Sequence, residues 1–317
     1  MAKDVFILGG AQSDFSRNME REGGGLFELF RDVAEAAFAA TGIEPKEVET
    51  AHVGNFVGEL FAGQGQLGGF FGHVHPDLAG VPASRHEAAC ASGSIAILAA
   101  AAEIEAERYG LALVLGIELM RNVPGQRAAE YLGAAAIFLA SGEVAEAYAK
   151  RRGISIDSIP RIKGWGHATA PLLYSTKVQD SRGGDYVFPS VRKAMMDALR
   201  RPEMPDIYAC DGVEVHDCFS ITEYMAIDHF GITPPGESWR AVEDGTIALG
   251  GKLPVNPSGG LIGLGHPVGA TGVRMLLDSW RQVTGNAGDY QVEGARNFAT
   301  FNVGGSATTA VSFVVGT

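Results

Sequence analysis

The sequence has few cysteines, which disfavours the disulfide-rich and zinc-binding classes of protein. Only three occur in 317 residues, at Cys90, Cys210 and Cys218. An odd and small number in a chain of this length disfavours a disulfide framework, and no Cys-x-x-Cys pair suggests a zinc site. We therefore expect reduced thiols, no bound metal and a cytoplasmic location.

Basic residues are also scarce. Lysine and arginine number 25 against 37 aspartates and glutamates, for a net charge of −12. Such a chain repels nucleic-acid backbones and anionic lipid surfaces, so neither is expected as a partner. No apolar run has membrane-spanning length, and the segment from Met1 into the apolar Asp4–Leu8 lacks the basic region and cleavage site of a signal peptide.

Glycine is abundant, with 43 residues, and it lies mainly at the ends of short apolar runs. Continuous apolar strands that alternate with helices predict an α/β protein whose sheets are covered on both faces. The first half is predicted to run β–α–β–α–β over Val5–Leu8, Leu26–Thr41, His52–Phe56, Ser92–Tyr109 and Leu111–Leu115. The second half is predicted to contain the strands Arg161–Gly164, Gly212–Val215, Phe298–Asn302 and Ala310–Val315 and the helices Ser190–Arg200 and Gly272–Val283.

The two halves follow one plan, which predicts an internal duplication. Phe56 and Phe219 occupy corresponding places, and glycine-opened helices follow Gly93 and Gly272. We place the boundary near Arg152–Gly153, which divides the chain into an N-terminal half of residues 1–152 and a C-terminal half of residues 153–317.

The segment His86–Ser94 places Cys90 directly before a predicted helix of small residues. A thiol at a helix N-terminus is near the positive end of the helix dipole, which favours the thiolate. Small neighbours leave room for a substrate carbonyl. On this segment alone, Cys90 is equally well interpreted as a buried structural cysteine.

The segment Asn256–Gly272 surrounds His266 with glycines. Glycine lets the backbone approach a ligand closely, and Pro267 restricts the chain directly after His266. A histidine held in this way can deprotonate a nearby thiol. The alternative is a glycine-rich turn with an incidental histidine.

A third segment, Glu214–Phe219, follows an apolar strand. His216 and Cys218 are two residues apart, so on an extended chain both side chains point to one side. That arrangement would bring a hydrogen-bond donor and a proton shuttle into one pocket. Taken alone, the pair is also compatible with a buried histidine and a core cysteine.

Together the three segments resemble the thiolase family, in its sterol-carrier-protein-type branch of thiolases and acetyl-CoA acetyltransferases. Cys90 resembles the family's nucleophile, Gly265–Pro267 its Gly-His-Pro motif, and His216–Phe219 the His-Asp-Cys-Phe signature of that branch. The resemblance covers both halves of the chain. It implies the thiolase fold, in which duplicated βαβαβ halves form a five-layer αβαβα architecture.

The chain departs from the family in two places. Many thiolases carry a catalytic cysteine in a C-terminal Cys-x-Gly-Gly motif, where this chain has Asn302–Gly305. In this branch the resemblance assigns the acid/base role to Cys218 instead.

Thiolases of this branch also insert a loop domain between the halves that helps to hold CoA. Here Tyr131–Ala136, which resembles the sequence before the insertion, passes directly into Ile137–Ser141, which resembles the sequence after it.

The resemblance implies a ping-pong reaction on coenzyme A thioesters, with no permanently bound cofactor. His266 helps to deprotonate Cys90, which becomes acylated, and the backbone N–H groups of Cys90 and Gly304 stabilise the oxyanion. Cys218 removes the α-proton of a second acyl-CoA, and His216 and His266 donate to the enolate oxygen. We expect a homodimer or a dimer of dimers that acts in lipid metabolism. The segment Phe61–His75 carries apolar residues without clear periodicity, and we expect these residues to be exposed at the interface.

Three alternatives stay open. One is a thiolase-like retro-aldolase lyase that works with a small zinc and OB-fold (DUF35-type) partner, although such relatives tend to lack the nucleophilic cysteine. Another is a non-catalytic acyl-CoA-binding scaffold subunit, which the missing insertion makes credible. A ketoacyl-carrier-protein synthase shares a Cys–His–His site, but its histidine does not usually lie in a Gly-His-Pro-x-Gly-x-Thr-Gly sequence like that around His266.

Overall fold

The computed structural model describes residues 3–17, 19, 22–119 and 132–317. The strands are β1 (Phe6–Gln12), β2 (Thr50–Gly54), β3 (Ala83–His86), β4 (Leu111–Leu119), β5 (Leu132–Ala140), β6 (Arg161–Thr169), β7 (Gly212–Val215), β8 (Asn297–Gly304) and β9 (Thr309–Gly316). The α-helices are α1 (Leu26–Thr41), α2 (Gly58–Ala62), α3 (Phe71–Val74), α4 (Ser92–Glu105), α5 (Gly142–Arg152), α6 (Tyr174–Asp180), α7 (Pro189–Arg200), α8 (Ser220–Phe230), α9 (Ser238–Glu243), α10 (Gly260–Leu264) and α11 (Thr271–Val283). Within these ranges no helix combines the length and the apolar character that crossing a bilayer requires.

The chain forms two compact units. Unit 1 consists of Met1–Arg161 and Gly265–Leu277, and unit 2 of Ile162–Leu264 and Asp278–Thr317. The second piece of unit 1 contains the Gly-His-Pro sequence, so unit 1 includes both Cys90 and His266.

The sheet of unit 1 has the strand order β3-β2-β4-β5-β1. Strand β2 is parallel to β3 and β4, and β5 is antiparallel to β4 and β1. Every residue of β4 from Leu111 to Glu118 is buried, so both faces of this strand are covered, as its apolar sequence predicts. Helix α1 packs against β1, β4 and β5 through apolar residues at helical spacing, including Leu29, Phe30 and Val33, and it ends where Gly42 adopts a left-handed conformation with φ of 69°.

The sheet of unit 2 has the order β6-β9-β8-β7. Strand β7 is parallel to β8, and β8 is antiparallel to β9. The same succession of a parallel and then an antiparallel pair occurs in β2, β4 and β5 of unit 1, and this agreement supports the predicted duplication. Helix α7 packs against β9, and its apolar residues join a core built from α7, α8, β7, β8 and β9.

Two predicted strands continue through the glycines that were expected to end them. Strand β1 runs past Gly9 and Gly10 to Gln12, and β6 runs past Gly164 to Thr169. A Cβ at Gly10 would lie 1.9 Å from the carbonyl oxygen of Ala136, and one at Gly164 would lie 2.0 Å from that of Ala198. These glycines therefore permit close packing within the sheet and under α7, rather than a turn.

Helix α4 is shorter than predicted. It ends at Glu105, with Ala106 as its cap, instead of continuing to Tyr109. The reason is local, because Glu107 adopts a left-handed conformation with φ of 56°, which an α-helix cannot include.

The segment Phe61–His75, which we expected to expose apolar residues at an interface, contributes to the core instead. Leu67 and Phe71 are buried, and the ring of Phe71 lies 4.8 Å from that of Phe30, between ring centroids. An interface prediction therefore cannot rest on this segment.

The predicted junction of the missing insertion is also misplaced. Ala136 and Ile137 lie in the middle of β5, where they pair with Leu115 and Val114 of β4 in one unbroken register. An insertion at that point would interrupt a buried strand. Tyr131, with which the predicted flanking segment begins, lies outside the described residues.

Candidate active site

Cys90 lies in a tight 3-10 turn, Ala89–Ala91, that leads directly into α4. Ala89 has a positive φ of 49°, and its N–H donates to the Glu87 carboxylate at 2.7 Å. The Ser92 hydroxyl donates to the Ala89 carbonyl at 2.6 Å and accepts from the Ala88 N–H at 2.9 Å. The turn thus holds a half-buried Cys90 directly before the N-terminus of α4, which is the position that the sequence predicts. The positive end of a helix dipole favours a thiolate, and this remains the expectation for Cys90.

The glycine-rich segment approaches this turn backbone to backbone. A Cβ at Gly93 would lie 2.7 Å from the carbonyl oxygen of Gly269, and one at Gly269 would lie 2.4 Å from that of Ile117. Real Cβ atoms do not come this close to the backbone, so a larger residue at either position would push the two segments apart. Gly269 is therefore explained by packing between segments of unit 1, whereas Gly265 has a φ of 114°, which a residue with a side chain rarely adopts.

His266 is buried and is held by Thr271, at the start of α11. Its Nδ1 lies 2.6 Å from the Thr271 hydroxyl oxygen, and this hydroxyl donates to the Pro267 carbonyl at 3.0 Å. Because the hydroxyl hydrogen is used in that bond, the Thr271 oxygen accepts from Nδ1–H, and Nε2 of a neutral His266 carries the lone pair. A ring nitrogen of His266 lies within 4.8 Å of the Cys90 sulfur, so the pair has the arrangement of a nucleophile and its base.

Glu118 is a further member of this region that the sequence reasoning missed. Its side chain is fully buried, and its carboxylate accepts from the N–H groups of Phe56 at 2.9 Å, Val57 at 3.3 Å and Gly269 at 3.1 Å and from the Asn55 amide at 3.1 Å. Burial raises the pKa of Glu118, and the backbone donors oppose that shift. The available signal was an acidic residue at the end of an otherwise apolar strand.

In unit 2, His216 directly follows β7 and is paired with Asn302 of the neighbouring strand β8. Both side chains are buried, and His216 Nδ1 lies 2.8 Å from Asn302 Oδ1. A carbonyl oxygen can only accept, so Nδ1 carries the hydrogen and Nε2 is left to interact with other groups. Asn302, which occupies the position where many thiolases have a cysteine, thus orients His216.

The residues after His216 are not extended. Asp217 is buried and accepts from the Leu261 N–H at 2.6 Å, the chain bends at Cys218, and α8 begins at Ser220. Burial raises the pKa of Cys218, a bond from Thr222 lowers it, and the charge of Asp217 raises it again. The net effect is a pKa for Cys218 above the ordinary value of a cysteine thiol.

The other backbone group predicted to stabilise an oxyanion belongs to Gly304, the last residue of β8. A turn follows, and it is closed by the Thr308 N–H, which donates to the Gly304 carbonyl at 3.0 Å. Unit 1 therefore holds Cys90 and His266, and unit 2 holds His216, Cys218 and Gly304. Their catalytic roles stay predictions.

Two family models match nearly the whole chain. The model for the N-terminal domain of thiolase matches residues 5–154, and the thiolase C-terminal domain-like model matches residues 174–317. The chain belongs to the thiolase family. The two motif-bearing segments at Cys90 and His266 and the signature at His216–Phe219 all fall within the matched regions.

Curated relatives of this thiolase include members of the predicted branch. It is 28% identical to the acetyl-CoA acetyltransferase of Methanothermobacter thermautotrophicus, in an alignment that covers 97% of this chain and 98% of the relative. It is 32% identical to sterol carrier protein 2 of Bos taurus over 186 residues, which are 58% of this chain and 33% of the relative.

Solved structures confirm the predicted α/β thiolase fold. The Ltp2-ChsH2(DUF35) aldolase matches with a TM-score of 0.75 at 14% identity, and covers 99% of this chain and 97% of that one. The human mitochondrial 3-ketoacyl-CoA thiolase matches with a TM-score of 0.67 at 15% identity, with 99% of each chain covered. At such low identities these similarities establish the fold alone.

The alignment with the archaeal relative also supports a missing insertion. It extends over 384 positions, whereas this thiolase has 317 residues, so at least 67 positions have no counterpart here.

Proposed function

We propose that this thiolase is an acyl-CoA C-acyltransferase that catalyses reversible Claisen condensation and thiolytic cleavage of 3-oxoacyl-CoA through an acyl-enzyme on Cys90. The observation that carries the proposal is the pairing of Cys90 with His266, whose tautomer is set by Thr271. Similarity to acetyl-CoA acetyltransferases over nearly the whole chain supports the same reaction class.

In the first half-reaction, Nε2 of His266 takes the proton of the Cys90 thiol, and the sulfur attacks the thioester carbonyl carbon. The bond from that carbon to the CoA sulfur then breaks, and the proton on His266 passes to the departing CoA thiolate. Cys90 is left as a thioester. Backbone N–H groups, for which Cys90 and Gly304 are the candidates, stabilise the negative charge on the carbonyl oxygen.

In the second half-reaction, the Cys218 thiolate takes an α-proton from another acyl-CoA. The resulting carbanion attacks the carbonyl carbon of the acyl-enzyme, and the Cys90 sulfur leaves. His216 and His266 are the candidate donors to the enolate oxygen. Because Nδ1 of each ring already donates to a neighbour, each histidine can donate to the enolate oxygen only after Nε2 has taken up a proton from solvent.

The test is mass spectrometry of the intact protein after incubation with acetyl-CoA and no second substrate. We expect one acetyl group per chain, located on the peptide that contains Cys90, and none on the Cys90→Ala variant. An unmodified wild-type protein, or equal acetylation and turnover of the variant, would refute the proposal.

A second candidate function is a retro-aldolase lyase that works with a small zinc and OB-fold partner. It is suggested by a protein that shares the fold, the Ltp2-ChsH2(DUF35) aldolase, whose likeness at 14% identity extends to the fold alone. An aldolase cleaves without acylating a cysteine, so the same spectrum separates the two functions. A non-catalytic scaffold would retain acyl-CoA but give neither a covalent acetyl group nor turnover.

A further inference from the structure

The turn between β8 and β9 has an unusual backbone. Three successive residues, Gly305, Ser306 and Ala307, have positive φ values of 60°, 54° and 64°. The left-handed region suits glycine but disfavours residues with a side chain, and such conformations persist when surrounding contacts enforce them. This turn directly follows Gly304, the proposed oxyanion donor, so whatever enforces it bears on catalysis.

The side chain of Lys177, from helix α6, supplies contacts that enforce the turn. Its Nζ donates to the Ser306 carbonyl at 2.7 Å, the Gly305 carbonyl at 3.3 Å and the Thr308 hydroxyl at 2.7 Å. The side chain is buried, with 4% of its surface exposed. Buried lysines usually pair with a carboxylate, yet in the described part of the chain Lys177 is bound by neutral oxygens of this turn.

The contacts extend from Lys177 to Gly304 through Thr308. The Thr308 hydroxyl, held by Lys177, donates to the Gly305 carbonyl at 2.5 Å, and the Thr308 N–H donates to the Gly304 carbonyl at 3.0 Å. The orientation of the peptide groups around Gly304 therefore depends on a turn whose carbonyls converge on one ammonium group.

We propose that Lys177 is a positioning residue that holds the turn Gly305–Thr308 and thereby the direction of the Gly304 N–H. The inference rests on the proposed function, because it concerns oxyanion stabilisation during acylation of Cys90. An N–H group stabilises an oxyanion only when it is preorganised, and removal of one donor in a comparable site costs about 10²–10³ in kcat. Loosening the donor instead of deleting it should cost less.

The experiment compares Lys177→Met with Lys150→Met, whose lysine is exposed on α5. A second variant, Thr308→Val, removes the intermediate hydroxyl with a smaller change. The measurements are the single-turnover rate of Cys90 acetylation by acetyl-CoA, KM, the rate of Cys90 alkylation by iodoacetamide, and the melting temperature. Alkylation reports on the thiol and its base but forms no oxyanion.

We expect acetylation to slow by roughly tenfold or more in Lys177→Met and Thr308→Val, with KM and alkylation within about twofold of wild type. Lys150→Met should match wild type in all measurements. The inference is overturned if both variants acetylate normally, or if acetylation, alkylation and melting temperature decline together, which would indicate a purely structural role. A wild-type protein that is never acetylated instead refutes the proposed function itself.

Discussion

The carboxylate of Glu118 accepts a hydrogen bond from the N–H of Gly269 at 3.1 Å, although the two residues lie far apart in the sequence. This bond links the end of β4 to the segment that carries His266. The same carboxylate binds the two N–H groups of Phe56 and Val57, so one buried side chain holds two loops of unit 1.

Replacement of Glu118 by alanine should therefore affect both stability and the Cys90–His266 pair. The change leaves two buried donors, the Asn55 amide and the Gly269 N–H, without this acceptor, at about 1–3 kcal/mol each. We expect the free energy of unfolding, measured by urea denaturation, to fall by about 3 kcal/mol, and Cys90 alkylation to slow. Glu146→Ala, on the exposed side of α5, should change stability by no more than about 0.5 kcal/mol. A Glu118→Ala variant as stable as this control would contradict the assignment.

Thr271 should control the reactivity of Cys90 through the tautomer of His266. Thr271→Val removes the acceptor of Nδ1–H without changing the shape of the side chain, so Nε2 is no longer reserved as the base. We expect the rate of Cys90 alkylation at neutral pH to fall by roughly tenfold or more, while Thr271→Ser stays close to wild type. Equal rates in the valine and serine variants would show that the hydroxyl does not matter.

A cluster of His52, His86 and Glu103 beside β3 should make stability depend on pH. His52 Nδ1 lies 2.9 Å from His86 Nε2, and His52 Nε2 lies 3.0 Å from the Glu103 carboxylate. Burial, and then the neighbouring His52, lower the pKa of His86 from the ordinary 6.5 to about 4. Between these two pH values the unfolded chain binds a proton that the folded chain does not, so the free energy of unfolding falls as the pH drops through this window.

His86→Gln should remove most of this dependence. We expect wild type to lose on the order of 2 kcal/mol more stability than the variant between pH 6.5 and pH 4, measured by urea denaturation at each pH. His75→Gln, which alters an exposed histidine, should follow the wild-type profile. Parallel profiles for wild type and His86→Gln would exclude the cluster as the source.

The bounds of helices and strands could be predicted from the sequence where local residue preferences determine them. The apolar spacing of Leu26–Thr41 and the following Gly42 predicted α1 to the residue. The predicted strand Gly212–Val215 agrees equally well with β7. The position of Cys90 directly before α4 was also predicted correctly, because neighbouring residues determine where this helix begins.

Contacts between residues that lie far apart in the sequence could not be predicted from the sequence. Glu118 with Gly269, His216 with Asn302 and Lys177 with Ser306 each join segments that the fold alone brings together. The role of glycines within strands also depends on contacts with distant residues. Gly10 and Gly164 look like turn residues until the backbone packed against each is known.

The exposed strand β3 should pair with a second copy of the chain. It forms one edge of the unit 1 sheet, and Ala83 and Ser84 are exposed. The backbone carbonyl of His86 accepts from the Asn55 N–H at 3.2 Å. Because backbone groups of successive residues in a strand point to opposite sides, the N–H and carbonyl groups of Ser84 and His86 face β2. The N–H and carbonyl of Ala83 therefore point away from the sheet, towards the open edge.

Sedimentation velocity at micromolar concentration should therefore show at least a dimer. Ala83→Pro removes the outward N–H without breaking the pairing with β2, so it should shift the protein towards monomer while the melting temperature shows that it stays folded. A monomeric wild type would contradict the prediction.

Cys218 should act in carbon–carbon bond formation and not in acylation. Asn302 occupies the position where many thiolases keep their second cysteine, and its amide, which orients His216, cannot carry a proton at neutral pH. Cys210 is buried in the core of unit 2, and burial raises its pKa to about 12, whereas Cys218 is only partly buried.

Cys218→Ser should thus leave acetylation of Cys90 within about twofold of wild type but slow hydrogen–deuterium exchange at the acyl-CoA α-carbon by roughly 10²-fold or more. Since the pKa of Cys218 is itself raised, exchange in wild type should also increase with pH above neutrality. Equal losses in both half-reactions would mean that Cys218 supports the site structurally, and no loss in either would transfer the role to a histidine or to water.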